Sequence, residues 1–395
     1  MRFSPLVDRV SGDGANAWIT HYQALEARGR GEDVILLSVG DPDLESPPEV
    51  IDRVIERLRA GDIHYTPASG RGTLLEAIAR AHTARSGQVV SSENVVYLAG
   101  AQNALFVASM CLAGPGDEVI TFDPMYATYP ATIQASGARM IRSATGAGFR
   151  PDIGELESLV TPRTRAIFFA TPANPSGVII NQGELEAMAR IARQHDLWLV
   201  SDEVYAGLAP GGRVPSLAAA LPERVVTIGS LSKSHALPGL RAGWLVGPRE
   251  LTSHAQALVM CMLFGLPGFI QEAVITALSV APEAERRTRE FCNRQRDRMA
   301  AGLRGIPGIR TTVPETGMFM LVDVSDTGLS GGEFMRALYE CERVSVIDGA
   351  AFGKRTSRFV RICFAAEDAT LDEACARIRR FCEQGLHRSG AEPRR

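Results

Sequence analysis

From about residue 94 onward the chain alternates short β-branched runs with stretches of helical apolar spacing, and no other feature restricts its fold as much. The runs are NVVYL at 94–98, EVITF at 118–122, AIFFA at 166–170, DLWLV at 196–200, RVVTI at 224–228 and AGWLV at 242–246. Such alternation predicts an α/β fold: a mostly parallel sheet covered by helices on both faces. The helix AQNALFVASMCLA at 101–113 is legible from its spacing and from the Gly114-Pro115-Gly116 stop behind it. A large domain is expected over residues 45–280. After Pro282 comes the charged helix EAERRTREFCNRQRDRMAAGLR, then GMFMLVDV at 317–324, a helix near 331–342 and RFVRICF at 358–364. These predict a smaller α+β domain over 281–395, onto which residues 1–44, too few to fold alone, are expected to pack.

With 395 residues there is ample chain for a core of this size. The 42 Lys and Arg against 45 Asp and Glu give a net charge of -3, which argues against nucleic acid or an acidic membrane as a partner. Hydrophobic residues at 45% and charged ones at 22% are the proportions of a soluble globular protein. The most apolar stretch, 255–281, is broken by Gln256, Pro267, Gln271 and Glu272, so it predicts a buried helix pair and no membrane span. Seven scattered cysteines without a C-x-x-C pair fit neither a disulfide framework nor a zinc site, and a reducing cytoplasm is the expected compartment. The N-terminus shows no apolar core of a signal peptide. Seven histidines with no pair at ligand spacing leave no metal site expected.

Chemistry begins at Lys233, in the frame GSLSKSHALPGLRAGW just past the buried run RVVTI. Open α/β sheets place their ligands at the carboxyl ends of parallel strands. Ser230, Ser232 and Arg241 around this lysine can bind a phosphate, leaving its amine to condense with an aldehyde, and that combination suggests pyridoxal phosphate. Such a cofactor needs a carboxylate at its ring nitrogen, which Asp202 in LVSDEVYAG offers, although Asp202 could equally be a helix cap. Tyr205, and Asn174 in TPANPSG, can donate to the phenolic oxygen; Asn174 could instead be a turn residue. Gly100, Ala101 and Gln102 stand at a strand-to-helix junction whose free N–H groups suit a phosphate. Tyr126 in FDPMYATYP can cover the ring, or be an ordinary turn tyrosine. Arg361 within RFVRICF is a charge in a strand pattern that should avoid one, and so a candidate for a substrate carboxylate; Arg358, at the strand's start, is its more exposed competitor.

The elements LLSVGDPDLESP, YTPASGRGTLLEAIA, LAGAQNAL, DPMYATYP, TPANPSG, SDEVY, SLSKSHALPGLRAGW and FVRICFA stand in one order from Leu37 to beyond Phe364. In that order the chain resembles the class I and II aminotransferases of the fold-type I pyridoxal-phosphate enzymes. The resemblance implies that Lys233 is the cofactor-bound lysine and proton shuttle, Asp202 the ring-nitrogen partner, Asn174 and Tyr205 the phenolate donors, and Tyr126 the stacking ring. It implies a phosphate site of Gly100, Ala101, Gln102, Ser230, Ser232 and Arg241, with Tyr65 reaching in from a neighbouring subunit, hence a homodimer. Arg361, helped by Asn174 and the backbone of Gly40, would hold the substrate carboxylate. The implied reaction moves an α-amino group from an L-amino acid to a 2-oxo acid in two half-reactions.

Relatives that prefer dicarboxylates place a cation near the distal acid. Here Gln102 stands where some have lysine, and 255–281 carries no Lys or Arg, which argues against aspartate. The segments GDGANAW, HYQAL, SLSKSHA, CMLFGLPGFIQ and TGLS resemble a subgroup for which L-arginine, or another basic or neutral amino acid, would be the donor and pyruvate an acceptor. Asp13 and Trp18 are the candidates for reading the side chain, with Asp13 in S-G-D-G as easily a turn residue. Alternatives on the same scaffold are a β-lyase or an amino acid oxidase or decarboxylase. A ligand-sensing regulator would need a DNA-binding module, and fewer than 45 residues precede the first motif. A nicotinamide enzyme would need the G-x-G-x-x-G that neither Gly70 and Gly72 nor Gly146 and Gly148 complete.

Overall fold

In the computed structural model, residues 2–10 and 18–385 are described. The central sheet is built from β2 (Val95–Ala99), β3 (Glu118–Asp123), β4 (Arg139–Ala144), β5 (Thr164–Ala170), β6 (Trp198–Asp202), β7 (Val225–Ser230) and β8 (Ala242–Val246). Their order is β2-β8-β7-β6-β5-β3-β4, with β8 antiparallel to both neighbours and every other pair parallel. The mostly parallel α/β sheet expected from the alternation is therefore present, and six of its strands fall on the six apolar runs. β4 was not expected. Its sequence RMIRSA offers only two large apolar residues, because a strand at the edge of a sheet is covered on fewer sides and tolerates charge.

Side-chain alternation along these strands feeds two cores. Val119, Phe168, Val200 and Val226 pack on one face beneath the helices Ala101–Leu112 and Arg249–Met262. Their immediate neighbours Ile120, Ile167, Leu199 and Val225 pack on the other, beneath the helix Gln182–Gln194. A strand buried on both faces has no polar side to show, which is why these runs read as continuous apolar stretches.

A second sheet follows, ordered β12-β13-β10-β9, from β9 (Arg310–Thr312), β10 (Phe319–Asp323), β12 (Ile347–Asp348) and β13 (Phe359–Cys363), all antiparallel. Near the chain's start β1 (Ile35–Leu36) pairs in parallel with β11 (Val344–Ser345). The helix Ile19–Gly29 packs on both of these strands and on the helix Gly331–Glu342, so the N-terminal segment joins the C-terminal part of the chain.

The stretch 255–281 forms a helix pair, Arg249–Met262 and Gly268–Ser279, but it is not buried throughout. Leu251, Ala255 and Val259 face the core, whereas Met260, Met262 and Phe264 lie exposed beside the outward-facing Tyr65 ring. Apolar spacing alone reports that a face will be covered and does not say by which chain. No helix among the described residues is long and apolar enough to cross a membrane.

One buried carboxylate ties the edge of the central sheet together. The Glu118 side chain, at the start of β3, is 1% exposed and pairs with Arg139 at 2.5 Å and Arg163 at 2.7 Å, while Thr161 donates to it at 2.7 Å. Hydrogen bonding from Arg139 and Thr161, with Arg163 adding to it, holds its pKa down to about 2. A depressed carboxylate stabilises the fold above its unfolded pKa, and that contribution disappears as pH falls through the folded value. Glu118→Ala should therefore lower the thermal midpoint at pH 7 by on the order of 5 °C. The gap between variant and parent should close between pH 5 and 2, measured by circular dichroism.

Candidate active site

The parallel register brings three chain exits to one level. Ala170 at the end of β5 lies opposite Asp202 at the end of β6, and Asp202 lies opposite Ile228 on β7. The loops leaving these ends carry Asn174, Tyr205 and Lys233. Facing them, β2 stops at Gly100, whose φ of 83° is a left-handed conformation that suits glycine, and the helix Ala101–Leu112 starts immediately. Tyr126 follows the end of β3. Tyr126, Asn174, Asp202, Tyr205 and Lys233 line one cavity of about 190 Å³ together with Ala101, Gln102, Ser230, Ser232 and Arg241.

Burial dominates the electrostatics here. It lowers the pKa of Lys233, whose Nζ donates to the Gly40 carbonyl, so more of the amine is neutral. Burial also raises Asp202 to about 6; the Val204 N–H at 3.3 Å and the Tyr129 hydroxyl at 3.3 Å oppose that rise. Among the described residues no cation pairs with Asp202. Tyr129 was missed in the sequence although it stands in the same DPMYATYP element as Tyr126; the signal available was a second hydroxyl-bearing ring at the start of a helix, here fully buried.

Arg361 reaches the same place from β13. Its Nη1 donates to Asn174 Oδ1 at 3.1 Å and its Nη2 to the Ser38 carbonyl at 2.5 Å, while its Nε is buried without a partner. The guanidinium lies over the rings of Phe319 at 3.8 Å and Phe352 at 4.7 Å, and burial lowers its pKa to about 10. Phe319 also closes on Gly40: a Cβ at Gly40 would strike that ring. Neither phenylalanine was singled out from the sequence.

The corner at Gly100 has the makings of an anion site. The first amides of the helix Ala101–Leu112 point at it, and Arg241 lies so near that a Cβ at Gly100 would strike its guanidinium. The Gln102 side chain is taken up elsewhere, donating to Thr132 at 2.8 Å and accepting from Thr128 at 2.7 Å, which leaves its backbone N–H for an anion. The Ser230 hydroxyl donates to the Ala242 carbonyl at 2.8 Å, accepts from the Ser232 N–H at 3.0 Å and lies 2.9 Å from the Ser232 hydroxyl, so Ser230 is the more engaged of the two. A larger hollow of about 780 Å³, lined by His21, Val39, Asp41, Cys363 and Glu373 among others, holds none of these amine or anion groups, and the chemistry belongs to the smaller cavity.

Residues 32–378 match the family described as aminotransferase class I and II. The chain belongs to the class I and II aminotransferases. It is 44% identical over 385 residues to the arginine–pyruvate transaminase AruH of Pseudomonas aeruginosa, covering 96% of this chain and 97% of that one. To the aspartate/prephenate aminotransferase of Thermus thermophilus it is 33% identical, covering 91% and 93%. Among solved structures, the aspartate aminotransferase of Thermus thermophilus with maleate superposes with a TM-score of 0.90 at 30% identity, covering 96% of this chain and all of that one.

This aminotransferase uses pyridoxal phosphate, and its cavity suits that group. A buried carboxylate with no cation partner asks for a protonated ring nitrogen, an open helix start beside an arginine asks for a phosphate, and a desolvated amine asks for an aldehyde. Arg361, Asn174 and Gly40 lie at the edge of the cavity through the contacts given above. Tyr65 does not enter it: 87% exposed, it points away from its own chain. Trp18 stands further off, packed with Ile347 and Phe352, and Asp13 lies outside the described residues.

Gly243 on β8 sets the floor of the anion corner, because a Cβ there would overlap the carbonyl carbon of Gly100 and the N–H of Ala101. Gly243→Ala should push these atoms out of place and weaken pyridoxal phosphate binding at least tenfold, with the apoenzyme still folded. Titration of apoenzyme with cofactor, followed by absorbance, measures this.

Proposed function

We propose that this aminotransferase moves the α-amino group of L-arginine, or of another basic or neutral L-amino acid, to a 2-oxo acid such as pyruvate, in two half-reactions at one site. The observation that carries the chemistry is the buried amine of Lys233 in one cavity with Asp202, beside the Arg361 guanidinium. The donor rests on the 44% identity to an arginine–pyruvate transaminase. It is supported by the engagement of Gln102 with two threonines, which leaves no cation where a distal carboxylate would sit.

Bound pyridoxal phosphate supplies an electron sink for the pair left behind when the donor's Cα loses its proton. Lys233 would hold the group through its Nζ, and this amine, which burial shifts toward its neutral form, would take the proton from the donor's Cα and return it in the transfer. Asp202 keeps the ring nitrogen protonated, and its buried carboxylate gains in return a cation that offsets its desolvation. Asn174 and Tyr205 donate to the ring oxygen, while Tyr126 covers the ring face. The amides of Ala101 and Gln102, with Gly100 permitting the turn, bind the phosphate together with Ser232, Ser230 and Arg241. Arg361 would orient the α-carboxylate, assisted by Asn174 and the Gly40 backbone.

A homodimer is part of the same proposal. The exposed Tyr65 and Phe264 rings meet edge to face at 5.0 Å, and Ile63 and Met260, close to them in sequence, are exposed too, an arrangement that a second copy would cover while Tyr65 enters its cavity. The division into a cofactor domain of 45–280 and a smaller one of 1–44 with 281–395 is supported by the separate sheets at 95–246 and 310–363. Seven cysteines without a disulfide support a cytoplasmic setting.

Mixing purified holoenzyme with excess L-arginine, in the absence of air and of any oxo acid, should bleach the cofactor's visible absorption and release one equivalent of 2-oxo acid. Pyruvate should restore the spectrum. An unchanged spectrum would remove arginine as donor. Lys233→Ala should retain cofactor yet lose turnover by on the order of 10³-fold or more, and normal turnover by that variant would refute the assignment.

A further inference from the structure

Taking Arg361 as the carboxylate clamp, as proposed above, we infer that Trp18 and His21 are positioning residues that brace this clamp through two of its supports, the Phe352 ring and the Ser38 carbonyl. Few contacts hold the guanidinium: Asn174, Ser38 and the two rings, with Nε unpaired. Two of these four supports touch the first turn of the helix Ile19–Gly29. His21 Nδ1 and the Ser38 hydroxyl share a hydrogen bond of 2.8 Å, and Ser38 is fully buried, so that bond restrains the residue whose carbonyl meets Arg361. Trp18, the residue before the helix, packs against Phe352 and Ile347, both fully buried. The Trp18 and His21 rings meet edge to face at 5.7 Å, so the two braces act as one unit.

The consequence concerns both substrates. A clamp that has lost its supports binds more weakly, because part of the contact energy goes into ordering it. An α-carboxylate is common to the amino donor and the 2-oxo acceptor, so a loosened Arg361 weakens both alike. A residue that reads the donor's side chain affects the donor alone.

The test uses holoenzyme variants Trp18→Ala, His21→Ala and Ser38→Ala. For each, KM is measured for L-arginine, for a neutral amino acid and for pyruvate, and the dissociation constant of propionate, which has the carboxylate and no amine, by calorimetry. All of these should rise together by about tenfold with kcat within about threefold, and His21→Asn and Trp18→Phe should recover most of the loss. His21→Ala and Ser38→Ala combined should cost no more than either alone, because they break the same bond. Thermal midpoints show whether each variant is folded, and Ser38→Ala, the smallest change, decides if the others are not. A rise confined to the amino donors would overturn the brace and place Trp18 in the side-chain pocket; so would unchanged constants throughout. If arginine proves not to be a substrate while the pyruvate and propionate constants still rise, the brace stands and only the donor assignment falls.

Discussion

The site depends on register. Because β5, β6 and β7 are parallel and level at their carboxyl ends, the loops that carry Asn174, Asp202 and Lys233 leave the sheet side by side. Parallel pairing requires a crossover between each strand and the next, and those crossovers are the helices that bury both faces of the sheet. A slip of one residue in β6 would turn Asp202 from the cavity to the opposite face, where its neighbour Glu203 now lies buried. The same hydrogen bonds that specify the fold thus position the ring-nitrogen carboxylate.

That position is costly to the protein by itself. Lys233, Asp202 and Arg361 are charged groups taken out of water, and each is shifted by burial toward its neutral form. No ion pair joins them: the lysine donates to a backbone carbonyl, the arginine to Asn174 and a carbonyl, and the aspartate accepts from a tyrosine and an amide. Keeping the three apart preserves each for a different part of its ligand, whereas a lysine paired with Asp202 would be a worse nucleophile and a worse base. A bound cofactor with a ring cation and a phosphate then relieves charges that the fold leaves open, so binding and stability are linked at this site.

What the sequence discloses follows from how many faces of a residue are constrained. Strands buried on both sides are continuous apolar runs and were legible, as was Arg361, a charge where β13 should carry none. β4, at the sheet edge, and β1, two residues long, leave too little pattern to see. The polar residues that line the cavity were legible because they follow strand ends within recognisable elements. Those that touch them from behind were not. Tyr129 under Asp202, Phe319 and Phe352 on Arg361, and Ser38 beside His21 are ordinary residues in their local sequence, and only contacts between distant segments give them significance. Similarly, Met260, Met262 and Phe264 read as core from spacing alone and are exposed in this chain, since spacing reports an apolar face and not what covers it.

A transaminase of this kind faces a recognition problem that the geometry states clearly. One cavity must accept two substrates in turn, and in the role proposed for Arg361 their α-carboxylates are held alike, so that contact cannot distinguish donor from acceptor. Discrimination has to come from groups that a long side chain reaches and a short one does not. The wall of the smaller cavity holds Tyr126, Tyr205 and the engaged Gln102, whereas the larger hollow lies against the helix Ile19–Gly29. Asp33, Asp41, Asp43 and Glu373 line that hollow with Arg28 and His21, and Arg377 already pairs with Asp33 at 2.5 Å and Glu373 at 2.7 Å. The helix that carries His21 borders this hollow and also touches the supports of Arg361, so one N-terminal element lines the hollow and packs behind the arginine.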